Sequence, residues 1–327
     1  MIGWYVHHQG RGHLHRATAV AAAVGRPVVG LSSLPDPFPD GGGPFAGWLR
    51  LAADDARPAE QVTAGGALHW APRGHAGMRA RMARLASWVE AERPDAVVVD
   101  VSVEVSVFLR LMGVPVVVVA MPGDRGDAPH TTGYTVAERV LAFWPQSVLD
   151  PDWLAVHPGA VAHVGAVSRF DGRAPSPVSP GRAVLLAGGG GSDLGVDDVA
   201  RLRAVTPGWD WTVLGGPGEW VDDPWPLLSS AEVVVTHGGQ NALAEVAAAR
   251  RPAVVVASAR PFAEQQRTTE ALAEAGIAVG LEEWPADDAW PGLLDTARRR
   301  GGQAWARWSP GDAAVRAAAV IEEVAGA

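Results

Sequence analysis

The 327-residue chain contains no cysteine. Disulfide frameworks, cysteine-bearing zinc sites and thiolate nucleophiles are therefore excluded. It contains no lysine either, and all 27 basic residues are arginine. That absence removes the Walker lysine, Schiff-base chemistry and a pyridoxal phosphate anchor. An excess of positive charge is also missing. The formal net charge is −9, which argues against a general nucleic-acid binder. Residues 1–165 carry 13 Arg against 15 acids and the remainder 14 against 21, so the first half is near neutral and the second acidic. No apolar run reaches the roughly 18 residues of a membrane span. The opening Met1–His7 lacks the build of a signal peptide, which sets the expectation of a cytoplasmic protein.

The residues present describe a globular chain, 48% hydrophobic with 39 Gly and 26 Pro. The length is too great for one ordinary core and suits two domains. Short, Val-rich strand candidates at Ile2–His7, Pro27–Leu31, Ala96–Asp100 and Pro115–Ala120 alternate with helical stretches at Arg16–Val24, Gly74–Arg93 and Val103–Met112. Near-continuous apolar strands suit a parallel sheet covered on both faces. Residues 32–47, rich in Pro and Gly, read as loop. Residues 166–181, with Pro175, Pro177 and Pro180, read as a linker. The alternation then restarts, with strands expected at Ala183–Ala187, Trp211–Leu214, Val233–Thr236, Ala253–Ala257 and Ile277–Leu281. Helices are expected at Val196–Val205, Asn241–Ala249, Glu264–Ala275 and Ala313–Val324. The pattern predicts an α/β protein of two Rossmann-like, doubly wound domains facing across a cleft, over 1–165 and 182–310. Residues 311–327 form a closing helix.

The most informative stretch is Val233–Glu245, V-V-V-T-H-G-G-Q-N-A-L-A-E. A strand ends, His237 follows, and Gly238 and Gly239 open a helix near Asn241. Free N–H groups and the helix dipole there favour a diphosphate. Glu245 lies one turn on, placed to accept both hydroxyls of a ribose. The bland alternative is a strand-to-helix turn capped by Asn. A second nest candidate, Gly188, Gly189, Gly190 and Ser192, follows the strand at Ala183–Ala187. Gln265 and Gln266 begin a later helix at the same end of the sheet, where their amides can meet sugar hydroxyls.

The pattern T-H-G-G-x-N-x-x-x-E, then Glu264-Gln265-Gln266, then Ala271-Leu272 and Gly276, resembles the donor half of GT-B glycosyltransferases, with MurG-like and family 1 nucleotide-sugar enzymes as the nearest relatives. Gly10-Arg-Gly-His13 with Arg16 looks like their G-x-G-H…R start, and Val164-Gly-Ala-Val-Ser-Arg169 is similar to their interdomain crossing. The resemblance implies a UDP- or dTDP-sugar bound mainly by the second domain. His237 and Ser192 would hold the diphosphate, Glu245 the ribose, Gln265 and Gln266 the sugar, with Arg169 a further phosphate ligand. It also implies that the final helix crosses back to the first domain.

An inverting transfer needs a base near pH 7 on the acceptor side, and histidine suits it. His13 follows the first strand, and Asp100 ends another strand at the same sheet edge, where it could fix the imidazole tautomer. On its own Asp100 reads more readily as the cap of the helix that starts near Ser102. Glu104, Asp127 and His130 are rivals, while His7 and His8 read as packing at the strand end. Asp150-Pro-Asp152 reads as a turn, so no metal and no cofactor are expected beyond the nucleotide-sugar cosubstrate. Helix 74–93, with Met78, Met82, Leu85, Trp88 and several Arg, reads as a core helix with a solvated Arg face. It could also rest peripherally on anionic lipid and present a lipid-linked acceptor. The expected activity is an inverting, metal-independent glycosyl transfer to a hydroxyl of a small molecule or lipid-linked acceptor. A sugar-nucleotide 2-epimerase and a catalytically silent nucleotide-sugar-binding partner are the alternatives. A nicotinamide enzyme fits poorly: His15 replaces the third glycine of G-x-G-x-x-G and Leu31 gives no ribose acid.

Overall fold

The computed structural model describes residues 1–55, 60–157, 160–188 and 194–327. The first part of the chain runs β1 (Ile2–Tyr5), α1 (Gly12–Ala21), β2 (Val28–Ser32), β3 (Gly47–Arg50), α2 (Ala76–Glu92), β4 (Ala96–Asp100), α3 (Val103–Leu111), β5 (Val116–Ala120), α4 (Ala128–Thr135), β6 (Arg139–Ala142), α5 (Asp152–Ala155) and β7 (Val161–His163). The second runs β8 (Arg182–Gly188), α6 (Val196–Val205), β9 (Asp210–Gly215), α7 (Trp225–Ser230), β10 (Val233–His237), α8 (Gln240–Ala249), β11 (Ala253–Val256), α9 (Glu264–Glu274), β12 (Val279–Leu281), α10 (Trp290–Arg300), α11 (Trp305–Trp308) and α12 (Ala313–Gly326).

Two parallel sheets result. The first has order β3-β2-β1-β4-β5-β6-β7 and the second β12-β11-β10-β8-β9. The inner strands are Val-rich because both faces are covered: β4 and β5 are buried at every residue. In each sheet the chain leaves its first strand toward one edge and later returns to the other side. The reversal falls between β1 and β4 in the first sheet and between β8 and β10 in the second. Crevices outside the carboxyl ends of strands at such reversals are where ligands bind in these folds.

Three strands lie in stretches where the sequence shows no strand pattern: β3, β6 and β7. β3 and β7 are edge strands of four and three residues, largely half-buried. Helix α2 also differs from expectation. It buries Arg81, Leu85, Trp88 and Val89, so Arg81 is not part of a solvated face. Its guanidinium pairs with Asp54 at 2.9 Å and donates to Tyr5 Oη, Ser33 Oγ and the Ala52 carbonyl. A buried cation is tolerable only with partners of this kind. Helix α12 packs on the first sheet, with Ala317, Ala318, Ile321 and Val324 in one core cluster with Ile2, Trp4, Val98 and Leu141.

Candidate active site

The loop after β1 leads into α1, whose first turn carries His13. β4 lies beside β1 in parallel register, Tyr5 opposite Val99, so Asp100 ends its strand next to that loop. His13 Nδ1 stands 2.9 Å from Asp100 Oδ1. Asp100 is fully buried. Burial opposes its charge, but Arg16 and then His13 outweigh this and hold the carboxyl well below the usual carboxylate range. It is therefore ionised and accepts the imidazole Nδ1–H, which leaves Nε2 with a free lone pair. The cap of α3 is Ser102, whose hydroxyl accepts from Val105 N at 3.2 Å, so Asp100 does not serve there. Between them Val101 sits at φ 63°, a strained backbone for a β-branched residue beside the His13–Asp100 pair.

On the other side of the cleft, β10 ends at His237 and α8 begins at Gln240. The two intervening glycines are demanded by packing. A Cβ on Gly238 would lie 2.8 Å from Thr269 Oγ1 and 2.9 Å from the Gln265 carbonyl, and one on Gly239 would lie 2.5 Å from the His237 ring. His237 Nδ1 accepts from Gly239 N at 3.0 Å. Burial, aided by Arg260, lowers its pKa to about 4, so the ring is neutral with Nε2–H available as a donor. Gln265 Oε1 accepts from Gly238 N at 3.1 Å and Ser258 N at 3.0 Å, so its carbonyl pins two strand-end loops together. Gln266 Oε1 is buried without a partner among the described residues. It lines a pocket of about 420 Å³, together with Leu185, Thr236, His237, Ala257 and Trp284, at the carboxyl ends of the second sheet. Glu245, buried, pairs with Arg169 Nε at 2.9 Å. Burial pushes its carboxyl up against the opposing pull of that guanidinium. Arg169 is thus held on the ribose candidate. Asn241 Nδ2 reaches across to His15 Nδ1 at 3.3 Å. Gly188 ends β8, while Gly189, Gly190 and Ser192 lie outside the described residues.

The two halves meet where motif residues pair with residues the motifs do not single out, and through further pairs beside them. Arg16 Nη1 donates to Gln240 Oε1 at 2.6 Å. Arg125 pairs with Glu264 at 3.2 Å and Arg267 with Asp124 at 3.0 Å. Phe262 packs its ring 4.8 Å from His130 and under the Arg125 guanidinium, also at 4.8 Å. The rival bases are spoken for. Glu104 Oε1 accepts from the backbone N–H groups of His69 and Trp70. Asp127 accepts from His69 Nε2 at 2.8 Å and His130 Nδ1 at 2.5 Å. His69, Asp127 and His130 are close enough to suggest a metal cluster. However, Arg125 Nη1 stands 3.0 Å from His130 Nε2, and a guanidinium can only donate. The His130 proton therefore sits on Nδ1, toward Asp127, and leaves no lone pair there for a cation. The His7 ring lies 5.5 Å from that of His13; burial, with His13 and His8 beside it, lowers its pKa to about 3.

A His–Asp pair at one strand reversal faces a glycine-lined helix start at another, and the molecule has the GT-B fold of two Rossmann-like domains. Residues 219–287 match the glycosyltransferase family 28 C-terminal domain. It is 27% identical to the UDP-N-acetylglucosamine--N-acetylmuramyl-(pentapeptide) pyrophosphoryl-undecaprenol N-acetylglucosamine transferase of Sorangium cellulosum (strain So ce56), over 68% of this chain and 62% of that relative. The chain is therefore matched to less than two thirds of that relative's length. Among solved structures it is similar to CalG4, the calicheamicin glycosyltransferase, with TM-score 0.67 and 19% identity over 99% of this chain and 98% of that one. It is similar also to MurG of Acinetobacter baumannii, with TM-score 0.66 and 16% identity over 98% and 99%.

Proposed function

We propose that the protein is a glycosyltransferase that moves a sugar from a UDP- or dTDP-sugar to a hydroxyl acceptor, with inversion and without a metal. The supporting observation is the His13–Asp100 pair, 2.9 Å apart through Nδ1, on the lobe opposite the start of α8. In this mechanism the acceptor hydroxyl gives its proton to His13 Nε2 as its oxygen attacks the anomeric carbon from the face opposite the nucleotide. The carbon–oxygen bond to the diphosphate breaks, and the leaving charge falls on N–H groups at the start of α8 and on His237 Nε2–H. Glu245 takes the ribose hydroxyls, with Arg169 beside it, and Gln265 and Gln266 stand at the sugar end. The first lobe holds the acceptor, a small molecule or a lipid-linked one. Among the described residues no helix is long and apolar enough to cross a membrane, so a lipid-linked acceptor would be met by peripheral contact through this lobe.

A thermal-shift screen over UDP-, dTDP- and GDP-sugars tests the donor, since a ligand that binds only the folded state raises its melting point. The product's anomeric configuration by NMR tests inversion, and turnover in excess EDTA tests metal independence. No shift with any nucleotide sugar would overturn the proposal, and undiminished turnover in EDTA with an inverted product supports all of it.

A further inference from the structure

The His13–Asp100 pair has a third member. Arg16 lies one turn along α1 from His13 and is 5% exposed. Its Nε donates to Asp100 Oδ2 at 3.2 Å, and Nη2 stands 2.8 and 3.0 Å from the two carboxylate oxygens. Nη1 crosses the cleft to Gln240 Oε1, and the guanidinium lies over the Phe143 ring at 5.0 Å. The 3.2 Å separation between Arg16 Nη2 and His13 Nδ1 joins two donors that share one acceptor oxygen. A cation thus sits beside the imidazole, and the Asp100 charge is divided between them. The other charged or titratable groups facing His13 are His7, backed by His8, and Glu264 of α9, itself paired with Arg125.

Resting on the transfer reading above, we infer that Arg16 is a positioning residue serving both lobes: it shares the Asp100 carboxylate with the His13 imidazole, and through Gln240 it registers the first turn of α8 against that imidazole. Gln240 is the first residue of the helix assigned to the leaving diphosphate, so one side chain fixes the distance between proton acceptor and leaving group.

The two halves separate experimentally. His13 is titrated by NMR of its Cε1–H in the ligand-free protein, assigned by the resonance lost in His13→Gln. Arg16→Gln should move that titration upward by about one pH unit or more, the scale of removing an adjacent charge. The acidic limb of kcat/KM should move with it. Arg16→Lys should restore the titration but not kcat, because an ammonium cannot span Asp100 and Gln240 together. Gln240→Ala should leave the titration in place and lower kcat/KM at least tenfold. An unmoved His13 titration in Arg16→Gln overturns the charge-sharing half, and wild-type kcat/KM in Gln240→Ala overturns the registration half. Where Arg16→Gln does not fold, Arg16→Lys and Gln240→Ala carry the test. The titration needs no donor, so failure of sugar transfer by the unmodified protein would sink the transfer reading, while the effect of Arg16 on His13 would still be measured independently.

Discussion

At the scale of single residues, the site depends on which groups keep their protons. His13→Ala should lower kcat by at least ~10²-fold, the usual scale for a lost general base, with the melting temperature little changed; a rate within a few fold of the parent assigns the base elsewhere. Glu245→Ala should raise the donor KM at least tenfold, and initial rates against donor concentration would show it. Protonation also governs stability. Burial is the leading cause in His15, His130 and His237, each lowered to about 4. The unfolded chain, with histidines near 6.5, binds more protons than the folded one between pH 6.5 and 4. Stability is therefore full above 6.5 and falls as pH drops through that window. Calorimetry at pH 7 and pH 5 should find the melting temperature several degrees lower at pH 5, and a flat profile would contradict the buried neutral rings. Of these residues, sequence spacing points to His13, Asp100, His237 and Glu245 because strand ends and helix starts are legible. Arg81 escapes such a reading because its partners Tyr5, Ser33, Ala52 and Asp54 are scattered over the first 55 residues, which no helical period can reveal. Gln240 and Arg125 escape it for a related reason: their partners lie on the other lobe.

At the scale of elements, the well-read ones are those buried on both faces or carrying a full amphipathic period. The β4, β5 and β10 strands and the α6 helix fall close to the stretches the sequence marks out. The short β3 and β7 strands have no such signature, since an edge strand is covered on one side and its half-exposed residues follow no alternation. Elements also meet through loops that tolerate no extra atom. Gly123 adopts φ +103°, and a Cβ there would fall 2.3 Å from the Phe262 carbonyl. Phe262 and Ala263 themselves sit at φ 62° and 51°, directly before the Glu264-Gln265-Gln266 turn of α9. Gly123→Ala should push this loop away, lose the Asp124 N to Phe262 O hydrogen bond of 2.7 Å, and raise the donor KM more than it lowers the melting temperature. Equal and small effects on both would show that the loop yields freely.

At the scale of the whole molecule, the two lobes share one chain in an interleaved order. Ile321 is fully buried against the first sheet, more than 150 residues beyond β7. Ile321→Asp should destabilise the protein by several kcal/mol, as an unpaired charge in a core does, and urea unfolding should show the loss. If the midpoint stays put, α12 is dispensable to that lobe. The two-sheet architecture is legible in the sequence because the strand–helix alternation repeats; how the lobes close on each other rests on side-chain pairs that carry no periodic signal.

The return of α12 has a consequence for synthesis. A ribosome making this chain at roughly 5–20 residues per second finishes the first seven strands long before Val324 emerges. Until then Ile2, Trp4 and Leu141 lack the aliphatic cover that α12 provides. The lobe translated first is accordingly the last to complete its core, and for about ten seconds or more it presents sticky nascent surface of the kind that chaperones hold.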